Sequence, residues 1–163
     1  MDYKKILVAM DMATKYPDVF TQALHLAEKE GAQMMLFCCL DQDTVAGMED
    51  SIATIVELEG SDSQRLLQKQ SERAMEHARA WLETLAKEAA AKGIAAQVAV
   101  EEGRAGPRIC DLAAHWGADL IVLGKSRRGV LAERLLGSIS SHVAHCAPCS
   151  VLLSHEALAR ADA

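Results

Sequence analysis

The sequence predicts a doubly wound α/β domain: a mostly parallel, five-stranded sheet with helices on both faces. Three observations carry this. Short β-rich apolar runs alternate with helix-periodic segments along the whole chain, with no repeat and no linker, and alternation of this kind marks successive βα units. Several of the strand-like runs are continuously apolar, as strands covered on both faces are. Half of the 163 residues are hydrophobic but only 4% are aromatic, so the core is built mainly from Ala, Leu, Val and Ile.

The elements follow in order. "KKILVAM" (4–10) is the first strand, and "PDVFTQALHLAEKEG" (17–31) the first helix, with Val19, Ala23, Leu26 and Ala27 on one face and Gly31 as its stop. "AQMMLFCCL" (32–40) is the second strand. A less regular stretch follows at 41–62, and then a long amphipathic helix over 63–92, its inner face read from Leu66, Leu67, Ala74, Ala78, Trp81, Leu82 and Leu85 and its end from Gly93. Ile94, Ala96, Val98 and Val100 alternate in the third strand. "PRICDLAAHWG" reads as a helix opened by Pro107 and closed by Gly117. "ADLIVLG" is the fourth and most apolar strand, "SISSHVAHCA" the last helix and "CSVLLS" the fifth strand. One α/β domain over 1–155, with a variable segment at 41–62 and a charged tail at 156–163, is the expected organisation.

Composition excludes several function classes. A net charge of −6 is the wrong sign for a general nucleic-acid binder, which neutralises phosphates with surplus Lys and Arg. No apolar run approaches the ~20 residues of a membrane span, and charges run through the place where a signal peptide has its apolar core, so a cytoplasmic location is expected. Cys38, Cys39 and Cys110 lie in apolar runs and read as small buried hydrophobes. Cys146 and Cys149 form C-A-P-C, a redox spacing, but one that follows a helix and enters a strand; redox-active pairs of this spacing sit at helix N-termini.

In open parallel sheets, ligands bind beyond the carboxyl ends of the strands where the strand order reverses. Asp11 follows the first strand, Leu40 and Asp41 the second, Glu102 and Gly103 the third, and Gly124 with the basic "KSRR" the fourth. A carboxylate and a glycine with positive charge therefore stand at two strand ends. "GKS" at 124–126 is not a P-loop: the earlier glycine that motif needs falls on Asp119, and the intervening "LIVL" is strand core. No G-x-G-x-x-G follows the first strand either. The later "GSISSHVAH" does carry a mechanism. Gly137 gives the backbone access to a ligand, Ser138 is placed to cap the helix, and the amides around Ile139 and Ser140 meet an anion with the helix dipole behind them.

These residues carry a family resemblance. "ILVAMD", "GADLIVLG", "LLGSIS" and "HCAPCSVLL", in that order, resemble the universal stress protein family over about residues 4–154. Nucleotide-binding members carry G-x2-G-x9-G-[ST]; Gly124, Gly137 and Ser138 match its first and last elements, while Arg127 stands at the middle glycine and Gly129 lies two residues on. The resemblance implies a sheet ordered 3-2-1-4-5 with the reversal between the first and fourth strands. It places Ala9 and Asp11 near a nucleoside, Leu40 at the base, and Leu123, Gly124, Arg127, Gly129, Gly137, Ser138, Ile139 and Ser140 about the phosphates. ATP, ADP or AMP is the implied ligand, with Mg2+ as the accompanying ion. It also implies a homodimer through the last strand, Val151, Leu152 and Leu153, whose exposed apolar edge would otherwise invite aggregation.

A nucleotide-binding stress-response or signalling protein is therefore the expected function. The alternative is a family member that does not bind nucleotide and works as a protein interaction module, docking an unidentified protein partner through 41–61, with Met48, Ile52, Ile55 and Val56. A catalyst is the third class. His115, His142 and His145 suggest no metal or catalytic cluster, because lone helical histidines are usually solvated or packed in the core. No general base has an evident partner, and slow ATP hydrolysis is the most that the sequence suggests.

Overall fold

A computed structural model of the chain describes residues 2–12, 18–41, 61–124 and 137–154. Its elements run β1 (Lys5–Met10), α1 (Asp18–Glu30), β2 (Gln33–Leu40), α2 (Ser61–Ala91), β3 (Ala96–Glu102), α3 (Ala105–Trp116), β4 (Leu120–Gly124), α4 (Ser138–Cys146) and β5 (Ser150–Ser154). The five strands form one sheet in the order β3-β2-β1-β4-β5, and every pairing is parallel. The doubly wound class and the strand order expected from the sequence are both present. The order reverses between β1 and β4.

The sheet divides two cores, and the strand period of two decides which residue enters which. Ile6, Val8 and Met10 of β1 join Met34, Leu36, Cys38, Leu40, Leu120 and Val122 under α1 and α2. Leu7 joins Met35, Phe37, Ile121 and Leu123 under α3 and α4. Both faces are covered, which is why these strands are apolar at nearly every position.

Two departures from the sequence reading have physical causes. Leu66 and Leu67 were expected on the inner face of α2, but they are exposed, at 37% and 52%. The buried stripe is Ala74, Ala78, Leu82, Leu85 and Ala89. A helix of 31 residues extends ~46 Å, about twice the length of the seven-residue β3, so its first turns overhang the carboxyl edge of the sheet. Ser71 marks where the overhang begins, its hydroxyl donating to the carboxylate of Glu102 at the end of β3. The second departure is in α3, which starts at Ala105 with Arg104 as its N-cap, two residues before Pro107. Proline is tolerated there because the amides of a first helical turn have no intrahelical partner to lose.

The amino edge is tied down by one carboxylate. Asp119 accepts the backbone N–H of Lys4 (2.8 Å) and that of Lys5 through both oxygens (3.1 Å each), and its own N–H donates to the Lys5 carbonyl (3.0 Å). Lys5 Nζ donates to the Trp116 carbonyl (3.0 Å) and lies 5.3 Å from the centre of that indole. Together these fix the register of β1 against β4, and hence which residues meet at the opposite edge.

Candidate functional site

At the carboxyl edge, Ala9 stands opposite Leu123 in the β1–β4 ladder. Asp11 is thus two residues beyond that rung on one strand and Gly124 one beyond on the other, which brings both to the point where strand order reverses. Ala9 and Leu123 face the α3–α4 side, while Asp11 and Gly124 are exposed. Asp11 and Met12 lie beside the end of β2. Burial pushes the Cys38 thiol up to about 12, the Asp11 carboxylate and Cys39 add to this, and a hydrogen bond from the Met12 backbone opposes it.

Leu40 buries its side chain in the first core, so only its backbone faces the edge. Its carbonyl already accepts the Gly103 N–H at 3.0 Å. Gly103 has φ 128°, and a Cβ there would stand 3.1 Å from the Arg108 Nε, so that turn requires glycine. Beside it the Cys39 Sγ donates to the Gly103 carbonyl (3.4 Å) and Arg108 pairs with Glu101 at 3.9 Å across an exposed surface. The Cys39 thiol is raised to about 11, by burial first and then by Glu101. Cys38 and Cys39 are therefore protonated at neutral pH and are not nucleophiles.

Helix α4 connects the carboxyl end of β4 to the amino end of β5, so its N-terminus opens on the same edge. Gly137 is its N-cap, with φ −60° and ψ 164°, and among the described residues no side chain caps the helix. Ser138 therefore does not cap α4; it is the first helical residue and exposed, as is Ile139 at 44%. The φ of Gly137 is one that any residue adopts. Two polar residues are buried among the described residues, Ser140 (3%) and Ser154 (2%), and both belong to this edge. Ser140 lies in the first turn of α4, and Ser154 is the rung opposite Gly124. Ser154 was not singled out from sequence; a serine ending the last strand is ordinary until the register shows what it faces. Lys125, Arg127, Arg128 and Gly129 lie outside the described residues.

Gly124 itself has no positive φ, and among the described residues a Cβ there would meet Val19 alone, at 3.9 Å. Neither backbone strain nor crowding by the described residues calls for glycine at this position. A cleft of ~260 Å³ at the opposite, amino edge is lined by Gly31, Gln33, Gly93 and Ile94, far from these strand ends, and carries no such chemistry.

His115, His142 and His145 do not assemble. His115 and His145 are exposed, whereas His142 packs over Gly106 in the seam between α3 and α4. No group of three His, Cys, Asp or Glu side chains among the described residues is arranged to hold a metal ion. No described helix is long and apolar enough to cross a membrane.

The fold and its edge define a class: an open, doubly wound sheet with a helix N-terminus and a carboxylate at the switch point between β1 and β4. Residues 2–155 match the universal stress protein family, and the chain belongs to that family. Universal stress protein Sll1388 of Synechocystis sp. is 35% identical over 94% of this chain and 98% of its own. Among solved structures, universal stress protein UspA from Lactobacillus plantarum superimposes with a TM-score of 0.73 at 22% identity, covering 94% of this chain and 98% of that one. A universal stress protein from Archaeoglobus fulgidus in complex with dAMP gives 0.56 at 18% identity, over 94% and 98% of the two chains. A family protein from Arabidopsis thaliana with AMP bound gives 0.59 at 14%, over 94% and 92%.

Proposed function

We propose that this chain binds an adenine nucleotide at the carboxyl edge between β1 and β4 and acts as a stress-response or signalling protein rather than as a catalyst. The nucleoside lies by Ala9 and Asp11 with the base against the Leu40 backbone. The phosphates lie by Leu123 and Gly124 and on the N-terminal amides of α4 from Ser138 to Ser140; Arg127 and Gly129, the other two residues assigned to them, lie outside the described residues. The observation that carries this is Gly124, a glycine that neither its conformation nor its described neighbours require, placed where a phosphate would need close approach to the backbone. Further support comes from the N-terminus of α4, which no described side chain caps, a ready anion site, and from the two buried serine hydroxyls beside it. Complexes of structural relatives with AMP and dAMP point to the same class of ligand. Pairing of β5, an edge strand with Leu152 39% exposed, is the proposed route to a homodimer.

Isothermal titration calorimetry with ATP, ADP and AMP tests this. Binding is expected, abolished in Gly137→Val, where a branched side chain blocks approach to the amides, and weakened in Ser138→Ala. Absence of heat at millimolar nucleotide, with or without Mg2+, overturns it. One observation favours the interaction-module reading instead: Leu66 and Leu67 stand exposed on the overhang of α2, directly after the 41–62 segment. In that case, a chain without nucleotide affinity would still capture a partner, and Leu67→Asp would abolish the capture.

A further inference from the structure

Helices α3 and α4 lie side by side on one face of the sheet. Each returns from the carboxyl edge to the amino edge, so they run parallel. They touch where Gly106 meets His142: a Cβ on Gly106 would stand 2.9 Å from His142 Cγ and Cδ2 and 3.0 Å from its Cβ. One helical turn further along each helix, at i+4, stand Cys110 and Cys146. The two thiols therefore stand on the same helix faces that meet at Gly106 and His142. Cys110 is 8% exposed, while Cys146 is the last residue of α4 and open to solvent. Burial raises the Cys110 thiol, and the neighbouring Cys146 adds to the effect. Cys149 also lies close by, packed on the same core, but the chain leaves α4 in extended conformation at Ala147 (ψ 136°) before reaching it.

We propose that Cys110 and Cys146 are a peroxide-oxidisable pair that forms a disulfide stapling α3 to α4. The Cys146 thiolate attacks the O–O bond of hydrogen peroxide; an S–O bond forms, hydroxide leaves, and it is protonated to water. The Cys110 sulfur, its proton lost to solvent, then attacks the Cys146 sulfur; the S–S bond forms, the S–O bond breaks, and a second water departs. Two thiols are oxidised and one peroxide is reduced. The solvent-open thiol meets the oxidant and the buried one resolves it. A disulfide needs a Cβ separation of ~3.5–4.5 Å, and the close approach of the two helices one turn earlier, at Gly106, is what favours it.

The test uses the full chain treated with hydrogen peroxide, alkylated, digested with trypsin without reductant and analysed by mass spectrometry. Cys110 falls in the peptide 109–125, whereas Cys146 and Cys149 share the peptide 135–160, so a Cys110 disulfide joins two peptides and a Cys146–Cys149 disulfide joins none. The expected result is the joined pair, released by dithiothreitol, with loss of two titratable thiols per chain. It persists in Cys149→Ser and disappears in Cys146→Ser and Cys110→Ser. A loop within 135–160, a joined pair lost in Cys149→Ser, or Cys146 oxidised only to sulfinic or sulfonic acid overturns the proposal. The wild-type and Cys149→Ser digests decide it even if Cys110→Ser fails to fold.

Discussion

Gly106→Ala tests the seam that sets the position of α4. In an unconstrained helix, the change from glycine to alanine gains up to ~1 kcal/mol. Here the added methyl meets His142 Cγ and Cδ2 at 2.9 Å, closer than real Cβ contacts come, and its Cβ at 3.0 Å, tighter than most. Turning the imidazole does not relieve this, because the Cβ of His142 is fixed to its backbone. The helices must separate, and forced overpacking of one methyl costs about 1–3 kcal/mol. After a propensity gain of ~1 kcal/mol, a net loss of about 0–2 kcal/mol remains, a fall in Tm of up to roughly 8 °C for a chain of this size. Urea and thermal unfolding by circular dichroism measure it. His142→Ala in the Gly106→Ala background removes the two 2.9 Å contacts and leaves the one at 3.0 Å, so it restores most of the loss, a coupling of about 1 kcal/mol, and His142→Gly removes the remaining contact. A Gly106→Ala chain more stable than the parent by the ~1 kcal/mol of the propensity gain would refute the tight seam.

Three further outcomes are expected. Asp119→Ala removes the acceptor of the Lys4 and Lys5 amides and lowers stability by about 1–2 kcal/mol in urea unfolding, since charge-assisted bonds to backbone amides contribute more than neutral ones; a change within 0.5 kcal/mol contradicts the clamp. Folding keeps the Cys38 thiol protonated up to about 12 against 9.0 for a free thiol, so its contribution is complete below pH 9 and is lost as the pH rises from 9 towards 12. The urea midpoint should therefore drop between pH 8 and 10, by about 1 kcal/mol from this group, with a shallower drop in Cys38→Ala. Leu82→Ala, at a fully buried position on α2, costs about 2–5 kcal/mol. Leu67→Ala on the overhang of the same helix stays within 0.5 kcal/mol, and equal effects at the two sites would place the buried stripe of α2 wrongly.

What could be read from the sequence followed from how far each signal reaches. The strands were legible because burial on both faces writes itself into every residue of a run such as "LIVLG". The ends of α1, α2 and α3 were legible because Gly31, Gly93 and Gly117 adopt positive φ (65°, 78° and 75°) that other residues rarely enter. The inner face of α2 was read too far towards its start: apolar periodicity says which residues share a face, not whether a sheet lies beneath them, and Leu66 and Leu67 lie beyond its edge. Asp11 and Gly124 were located at strand ends from the chain alone, but the rung that joins Ala9 to Leu123 depends on pairing across more than a hundred residues. The same limit hid Ser154, whose partner Gly124 is thirty positions away, and it hid the α3–α4 seam altogether. Gly106 was not singled out, because the helix was read as opening at Pro107, and His142 was read as a histidine either solvated or packed in the core. Only the parallel packing of two helices that are not consecutive in contact along the sequence shows that one is small because the other is there. Whatever α4 presents at the carboxyl edge is set by that contact. A substitution at Gly106 is therefore expected to move Ser138, Ile139 and Ser140 together, while those three residues themselves stay unchanged.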